Sequence, residues 1–121
     1  MKALLSLTLA AALGCSTAFA ACQAPTSSVS IPSGAKATKD EMVAAQKAVK
    51  AYDAEVKAYA ECLRTDQDAE IAAAGDKLAD DQRNKIVARY AELQNKEVDK
   101  LQKVADQFNA ELKAWRAKNP S

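Results

Sequence analysis

Cysteine is the residue in this sequence with the most distinctive chemistry. The chain of 121 residues has three cysteines, Cys15, Cys22 and Cys62, and no histidine. The absence of histidine removes the commonest general base and metal ligand of proteins. The sequence contains no Cys-x-x-Cys pair, phosphate loop, calcium loop or serine nucleophile elbow. We therefore expect no enzymatic activity and no cofactor.

Two pairs of acidic residues are close enough in sequence to hold a cation weakly. They are Asp66-x-Asp68 and Asp80-Asp81. Acids beside a helix start or end are more often solvated charges than ligands, because carboxylates near a helix N-terminus are stabilised by the helix dipole. We expect no metal site at either pair.

The first twenty residues have the three parts of a secretory signal peptide. Lys2 gives a charged start, an apolar run extends over 3–13, and Ala18-Phe19-Ala20 is the small-x-small pattern of a cleavage site. The apolar run is shorter than the roughly 20 residues that a membrane-spanning helix needs. We predict cleavage between Ala20 and Ala21, a periplasmic or secreted protein, and no permanent membrane span.

An alternative for the same segment is lipidation. Ala12-Leu13-Gly14-Cys15 resembles the site at which envelope lipoproteins are cut and acylated on cysteine, although the usual leucine position is held by Ala12. An outer-membrane lipoprotein acylated at Cys15 is therefore an open alternative.

Cleavage after Ala20 leaves two cysteines, Cys22 and Cys62. An even number of cysteines in an exported chain favours a disulfide, because the compartment is oxidising. We predict a Cys22–Cys62 disulfide within the chain. A disulfide between two chains is the alternative.

The charges of the mature chain balance. Without Lys2 there are sixteen basic and sixteen acidic residues, with the two signs interleaved beyond residue 38. Such a chain lacks the basic stripe that binds a phosphate backbone or an anionic membrane. We expect a protein partner of unknown identity and no nucleic acid.

Residues 21–37 are predicted to form an extended arm. The segment contains Pro25, Pro32 and Gly34 among serines, and Val29 and Ile31 alternate within it. Proline and glycine disfavour helix here and place a turn at 32–34. A disordered linker is the alternative.

A long helix is predicted over about 38–74. Thr38 and Glu41 match a capping box, and Gly75 suits a C-terminal stop. Downstream, apolar or small residues recur with alternating steps of three and four, which indicates a coiled-coil seam. The seam comprises Met42, Ala45, Val49, Tyr52, Val56, Tyr59 and Leu63.

A second helix is predicted over about 79–117. Its apolar residues recur with a mean spacing near 3.6, and Pro120 cannot continue it. Two helices of similar length joined by a short turn favour an antiparallel hairpin. The predicted stripe contains Ile86, Tyr90, Leu93, Glu97, Leu101, Val104, Phe108, Leu112 and Trp115.

The expected fold is thus all-α: a coiled-coil-like antiparallel hairpin over 38–118 with an extended N-terminal arm, after a cleaved signal helix. Small residues form a second stripe on the first helix, and we hypothesise that the arm lies along it until Cys22 meets Cys62. The stripe comprises Ala44, Ala48, Ala51, Glu55, Ala58 and Cys62. Trp115, at the open end, either caps the core or contacts a partner. The chain is a monomer, or a homodimer if the first seam pairs between chains.

Two resemblances follow from short stretches of the sequence. One set of residues resembles small exported α-helical proteins of proteobacteria whose function is uncharacterised, which implies a compartment and a fold but no activity. This set is Ile31-Pro32-Ser33-Gly34-Ala35, Ala37-Thr38, Glu41-Met42, Ala45, Val49-Lys50, Tyr52, Tyr59, Cys62-Leu63, Arg89-Tyr90 and Phe108-Asn109.

The second stretch, Leu78-Ala79-Asp80-Asp81-Gln82, is similar to the Leu-Thr-x-x-Gln motif of Spy/CpxP-type periplasmic stress proteins, with Ala79 in place of threonine. This resemblance implies a chaperone-like alternative. The leading prediction is a non-enzymatic exported protein that acts through its surface.

Overall fold

The computed structural model describes residues 21–120. The predicted signal peptide 1–20 and the lipidation alternative at Cys15 lie outside the described residues. Helix α1 extends over Lys39–Ala74, a short 3₁₀ turn over Gly75–Lys77, and helix α2 over Asp80–Lys118. The two helices pack against each other along their lengths. The predicted all-α hairpin is confirmed, and neither described helix is apolar enough over a sufficient length to cross a membrane.

The start of α1 is fixed by a reciprocal cap. The Glu41 backbone N–H donates to Thr38 Oγ1 at 3.2 Å, and the Thr38 backbone N–H donates to Glu41 Oε2 at 2.7 Å. These bonds satisfy two amides that the first turn leaves without helical partners. The Thr38 backbone and then its hydroxyl hold the pKa of Glu41 below its usual value. The predicted capping box is therefore present at this end of the helix.

The end of α1 depends on glycine. Gly75 has φ of +69°, a conformation in which a side chain is strained and glycine is not. Its backbone N–H donates to the Ala72 carbonyl. The chain can therefore leave the helix and reverse direction within a few residues.

The core lies along α1 on the predicted seam. Its buried α1 side chains are Met42, Ala45, Tyr52, Val56, Tyr59 and Leu63. From α2, Phe108 enters a cluster with Met42 and Ala45. The large ring thus lies beside a small residue, as the antiparallel register predicts.

The stripe on α2 is less regular than predicted. Leu93 is 40% exposed, whereas Tyr90 is half-buried and Glu97 is buried. Each residue turns the helix by about 100°, so a three-residue step from Tyr90 places Leu93 roughly 60° off the line of contact. Tyr90 and Glu97 therefore meet α1, and Leu93 does not.

The arm runs back along the hairpin in extended conformation. At its start, Cys22 and Cys62 lie at bonding distance with their Cα atoms 5.8 Å apart. Farther along, Ser27 Oγ donates to Glu55 Oε1 at 2.6 Å, and the Gly34 N–H donates to Glu111 Oε2 at 2.7 Å. The arm therefore contacts α1 near the disulfide and α2 near its own turn.

This path differs from the predicted one. Ala44, Ala48 and Ala51 remain exposed, so the arm does not follow the whole stripe of small residues. Ile31 packs instead against the cluster that contains Phe108. Apolar burial explains the difference, because a groove between two helices removes more of a branched side chain from water than a flat row of alanines does.

Candidate functional site

Two features of the described residues are candidates for function: the disulfide with its acidic neighbour, and the groove that the arm leaves uncovered. The disulfide closes a separation of 40 residues in sequence. In the chain-entropy picture, such a closure stabilises the folded state by about 4 kcal/mol. A disulfide of this kind is typical of proteins from an oxidising compartment.

Asp66 lies beside the disulfide. Its Oδ2 is 3.0 Å from Cys22 Sγ, and Asp66 follows Cys62 by one helical turn on the same face of α1. Neither sulfur of a disulfide carries a proton, so the carboxylate is a close charged neighbour and not the acceptor of a thiol hydrogen bond. In the sequence Asp66 stands out only as a neighbour of Asp68, but its spacing of four residues from Cys62 indicates that it lies beside the disulfide.

The predicted acid pairs do not act as pairs. Asp66 is half-buried and Asp68 is exposed, because two residues along a helix point to nearly opposite sides. Asp80 and Asp81 lie in the first turn of α2, and Asp81 forms an exposed ion pair with Lys85 at 3.6 Å.

Trp115 is engaged within the fold. Its indole N–H donates to the Ala37 carbonyl at 3.0 Å, and its ring packs against the cluster of Met42, Ala45 and Phe108. It covers the open end of the hairpin while remaining half-exposed. A contact between Trp115 and a partner stays a prediction.

A polar contact interrupts the middle of the core. Glu97 is 3% exposed, and its Oε1 accepts a hydrogen bond of 2.7 Å from Lys100 Nζ. Its Oε2 is buried with no hydrogen-bond partner among the described residues. Burial, followed by the charge of Glu97, raises the pKa of Tyr52. The sequence pattern located Glu97 on the stripe but gave no indication of this environment.

A second polar contact joins the helices near the turn. Tyr90 Oη donates to Glu70 Oε2 at 3.0 Å, and Arg89 also contacts that carboxylate. The hydrogen bonds from Arg89 and then Tyr90 lower the pKa of Glu70. Burial and then Glu70 raise the pKa of Tyr90. These contacts fix the two helices at the closed end of the hairpin.

The hairpin has two long sides, and the arm covers only one of them. On the opposite side the helices leave a shallow groove, here called the open groove. Its floor is mainly apolar, and charged and amide side chains form its edges. The lining residues are Val49, Lys50, Asp53, Val98, Leu101, Gln102 and Ala105.

The open groove continues toward the turn as a more polar hollow. This hollow is lined by Lys57, Ala60, Glu61, Leu63, Arg64, Gln67, Tyr90 and Gln94. On the α1 edge, Lys50, Lys57 and Arg64 recur every seven residues and therefore lie on one line along the helix. Gln94 lines this hollow and Gln102 lines the open groove, so the α2 edge carries amide side chains.

No protein-family model, curated protein sequence or solved structure matches this chain. The similarity to small exported helical proteins and to Spy/CpxP-type stress proteins therefore stays a prediction.

Proposed function

We propose that this chain is a non-enzymatic exported protein that binds an amphipathic helix of a partner protein in the open groove. The pattern of residues 1–20 supports export, as does the pairing of Cys22 with Cys62. The absence of histidine from the chain supports a role other than catalysis.

The observation that carries the proposal is the unequal covering of the hairpin. The arm lies over one side, where Ile31 adds apolar contacts to the core. On the other side Val98 is 42% exposed, and Val49 and Leu101 beside it are half-buried. A helix laid in this groove would remove all three from water, because a third helix fills the space between two packed helices.

The edges of the groove indicate the chemistry of the partner. Lys50, Lys57 and Arg64 form a basic line on α1. It is partly offset by Asp53, whose Oδ2 lies 2.6 Å from Lys57 Nζ, and by Glu61, whose Oε1 lies 3.7 Å from Arg64 Nη2, so Lys50 is the base of this line without an acid paired to it among the described residues. The α2 edge carries uncharged Gln94 and Gln102. A partner helix with apolar residues on its inner face and acidic residues along the α1 flank would match this arrangement.

The experiment is site-specific photo-crosslinking in the exported protein. A photoreactive residue replaces Gln102, an exposed member of the groove edge. Val98→Asp is the test variant, because it places a charge on the groove floor. Val43→Asp is the matched control, since Val43 is 40% exposed but does not line the groove. We expect one crosslinked partner whose attached peptide has the apolar period of a helix, lost in Val98→Asp and kept in Val43→Asp.

Three outcomes would contradict the proposal. If both Val98→Asp and Val43→Asp crosslink as well as the parent protein, the groove is not the binding surface. An adduct between two copies of this chain would identify a homodimer through the same groove. Loss of all adducts in both variants would show that charge anywhere on the hairpin disrupts the contact.

The chaperone-like alternative has one observation in its favour. Val87, Leu93 and Val98 are each 40% to 42% exposed along α2. A chaperone would suppress the aggregation of unrelated unfolded proteins, and light scattering of a denatured client measures this directly. The lipoprotein alternative depends on Cys15, and mass spectrometry of the exported form distinguishes an N-terminus at Ala21 from an acylated cysteine.

A further inference from the structure

We propose that Cys22, Cys62 and Asp66 form a site for a thiophilic divalent cation such as Zn²⁺ once a dithiol reductant has opened the disulfide. Each residue offers one ligand atom, and the three atoms lie within 4.8 Å of one another. All three residues are half-buried, which leaves one side for a water molecule. Two thiolates, a carboxylate and water make a four-coordinate set that zinc accepts. This site is independent of the open groove.

The fold holds the three ligands in place from two directions. Cys62 and Asp66 are separated by four residues on α1, so their side chains lie one turn apart on the same face. Cys22 arrives from the arm. The cation would take the position of the sulfur–sulfur bond, with Zn–S distances of about 2.3 Å and the sulfurs about 3.8 Å apart. The Cα separation of 5.8 Å leaves room for this small movement of the side chains.

Reduction alone does not free Cys22 from the site. The arm keeps its contacts from Ser27 to Glu55 and from Gly34 to Glu111, and Ile31 stays packed on the core cluster. The thiol of Cys22 would remain near Asp66, whose carboxylate accepts its hydrogen bond. The high effective concentration that the anchored arm provides favours binding of one cation by a single chain.

The surrounding charges also favour a cation. Within residues 61–70 there are four acids, Glu61, Asp66, Asp68 and Glu70, and one base, Arg64; Arg89 of α2 adds a second base because it contacts Glu70. This local excess of negative charge attracts a divalent cation and disfavours free thiolates. A bound cation would stabilise the thiolates that the acids otherwise oppose.

Formation of the site takes two steps, reduction of the disulfide and binding of the cation. The dithiol reductant transfers two electrons and two protons to the sulfur–sulfur bond, which becomes two thiols while the reductant becomes a disulfide. The cation then displaces both thiol protons to the solvent and binds two thiolates and the Asp66 carboxylate. Two protons are released for each cation bound, so affinity falls as the pH is lowered.

The test uses Co²⁺ as a spectroscopic probe of the exported protein, reduced with a phosphine and kept without oxygen. We expect one Co²⁺ per chain, with sulfur-to-cobalt charge-transfer absorption and the visible bands of tetrahedral cobalt, both displaced by Zn²⁺. The oxidised protein should bind no Co²⁺ at these concentrations. Circular dichroism before and after reduction checks that the helices are retained.

Matched variants identify the third ligand. Asp66→Asn should weaken Co²⁺ binding at least about tenfold, as expected for loss of a ligand or its support. Asp68→Asn removes the same charge from the exposed side of the helix and should leave the affinity unchanged within about twofold. The proposal is overturned if the reduced protein gives no thiolate charge-transfer band, if two chains share one cation, or if the two variants bind equally.

Discussion

Replacing Gly34 by alanine should detach the arm from α2 without unfolding the helices. A Cβ atom at this position would lie 1.8 Å from the Glu111 carbonyl oxygen and 2.9 Å from the Trp115 backbone nitrogen. Both atoms belong to the helix backbone and cannot rotate away. The arm must therefore move outward by at least about 1.2 Å before the contact reaches the 3.0 Å below which real Cβ atoms are essentially never found.

That movement has a calculable cost. It stretches the 2.7 Å hydrogen bond from Gly34 to the Glu111 carboxylate, and a hydrogen bond to a charged group contributes about 1.5 to 3 kcal/mol. Overpacking costs a further 1 to 3 kcal/mol or so. The two costs overlap, because the displacement that relieves the steric clash is the one that stretches the hydrogen bond. We expect a loss of about 2 to 4 kcal/mol, which lowers the Tm of a domain this size by roughly 10 to 20 °C.

The assay is thermal unfolding of the oxidised protein, followed by far-UV circular dichroism. The helix signal before the transition should be unchanged, because the disulfide and the core of α1 remain. Gly75→Ala is the matched control: its φ of +69° strains a side chain, but nothing lies within 4 Å of the added atom. Gly75→Ala should cost about 1 to 3 kcal/mol through backbone strain alone, with no steric clash. If Gly34→Ala unfolds at the temperature of the parent protein, the close approach of arm and helix is not present in solution.

Three further perturbations test other contacts. Asp66→Asn should speed reduction of the disulfide by a dithiol several-fold, because the carboxylate 3.0 Å from Cys22 Sγ opposes the thiolate that must leave; a rate equal to that of the parent would contradict this. Glu97→Leu should leave the free energy of unfolding unchanged or raise it by about 1 kcal/mol, because it removes a buried carboxylate with an unpartnered oxygen. Denaturant unfolding measures this change. A loss above 2 kcal/mol or so would show that the Lys100 contact is net stabilising. Tyr52 has a raised pKa in the folded state. Its contribution to the free energy of unfolding should therefore be complete below about pH 10 and should be lost as the pH rises through the folded-state pKa. Tyr52→Phe should reduce the alkaline loss of stability, and an identical pH profile would contradict the assignment.

Several parts of the fold could be predicted because they depend on local rules. The capping box at Thr38 follows from hydrogen bonding within one turn, and the buried series from Met42 to Leu63 follows from the helical period. The proximity of Cys22 and Cys62 follows from there being two cysteines beyond residue 20 and an arm long enough to join them.

Other parts of the fold depend on tertiary packing, which the helical repeat of apolar residues does not determine. Gly34 was predicted to form a turn, yet its backbone also lies against Glu111, a contact visible only when the arm and α2 are placed together. The path of the arm was predicted from a row of alanines, but the greater burial of Ile31 decides it. The open groove exists because the arm covers one side of the hairpin, and the sequence of either helix alone does not show which side.

The central claim is that oxidation ties the arm to the middle of α1, and counting thiols tests it most directly. The protein, purified without reductant, is denatured in an alkylating reagent, digested and analysed by mass spectrometry. We predict that neither Cys22 nor Cys62 is alkylated, and that one linked pair of peptides contains Cys22 and Cys62 from a single chain. Alkylation of both cysteines, or linkage of two chains through them, would contradict it.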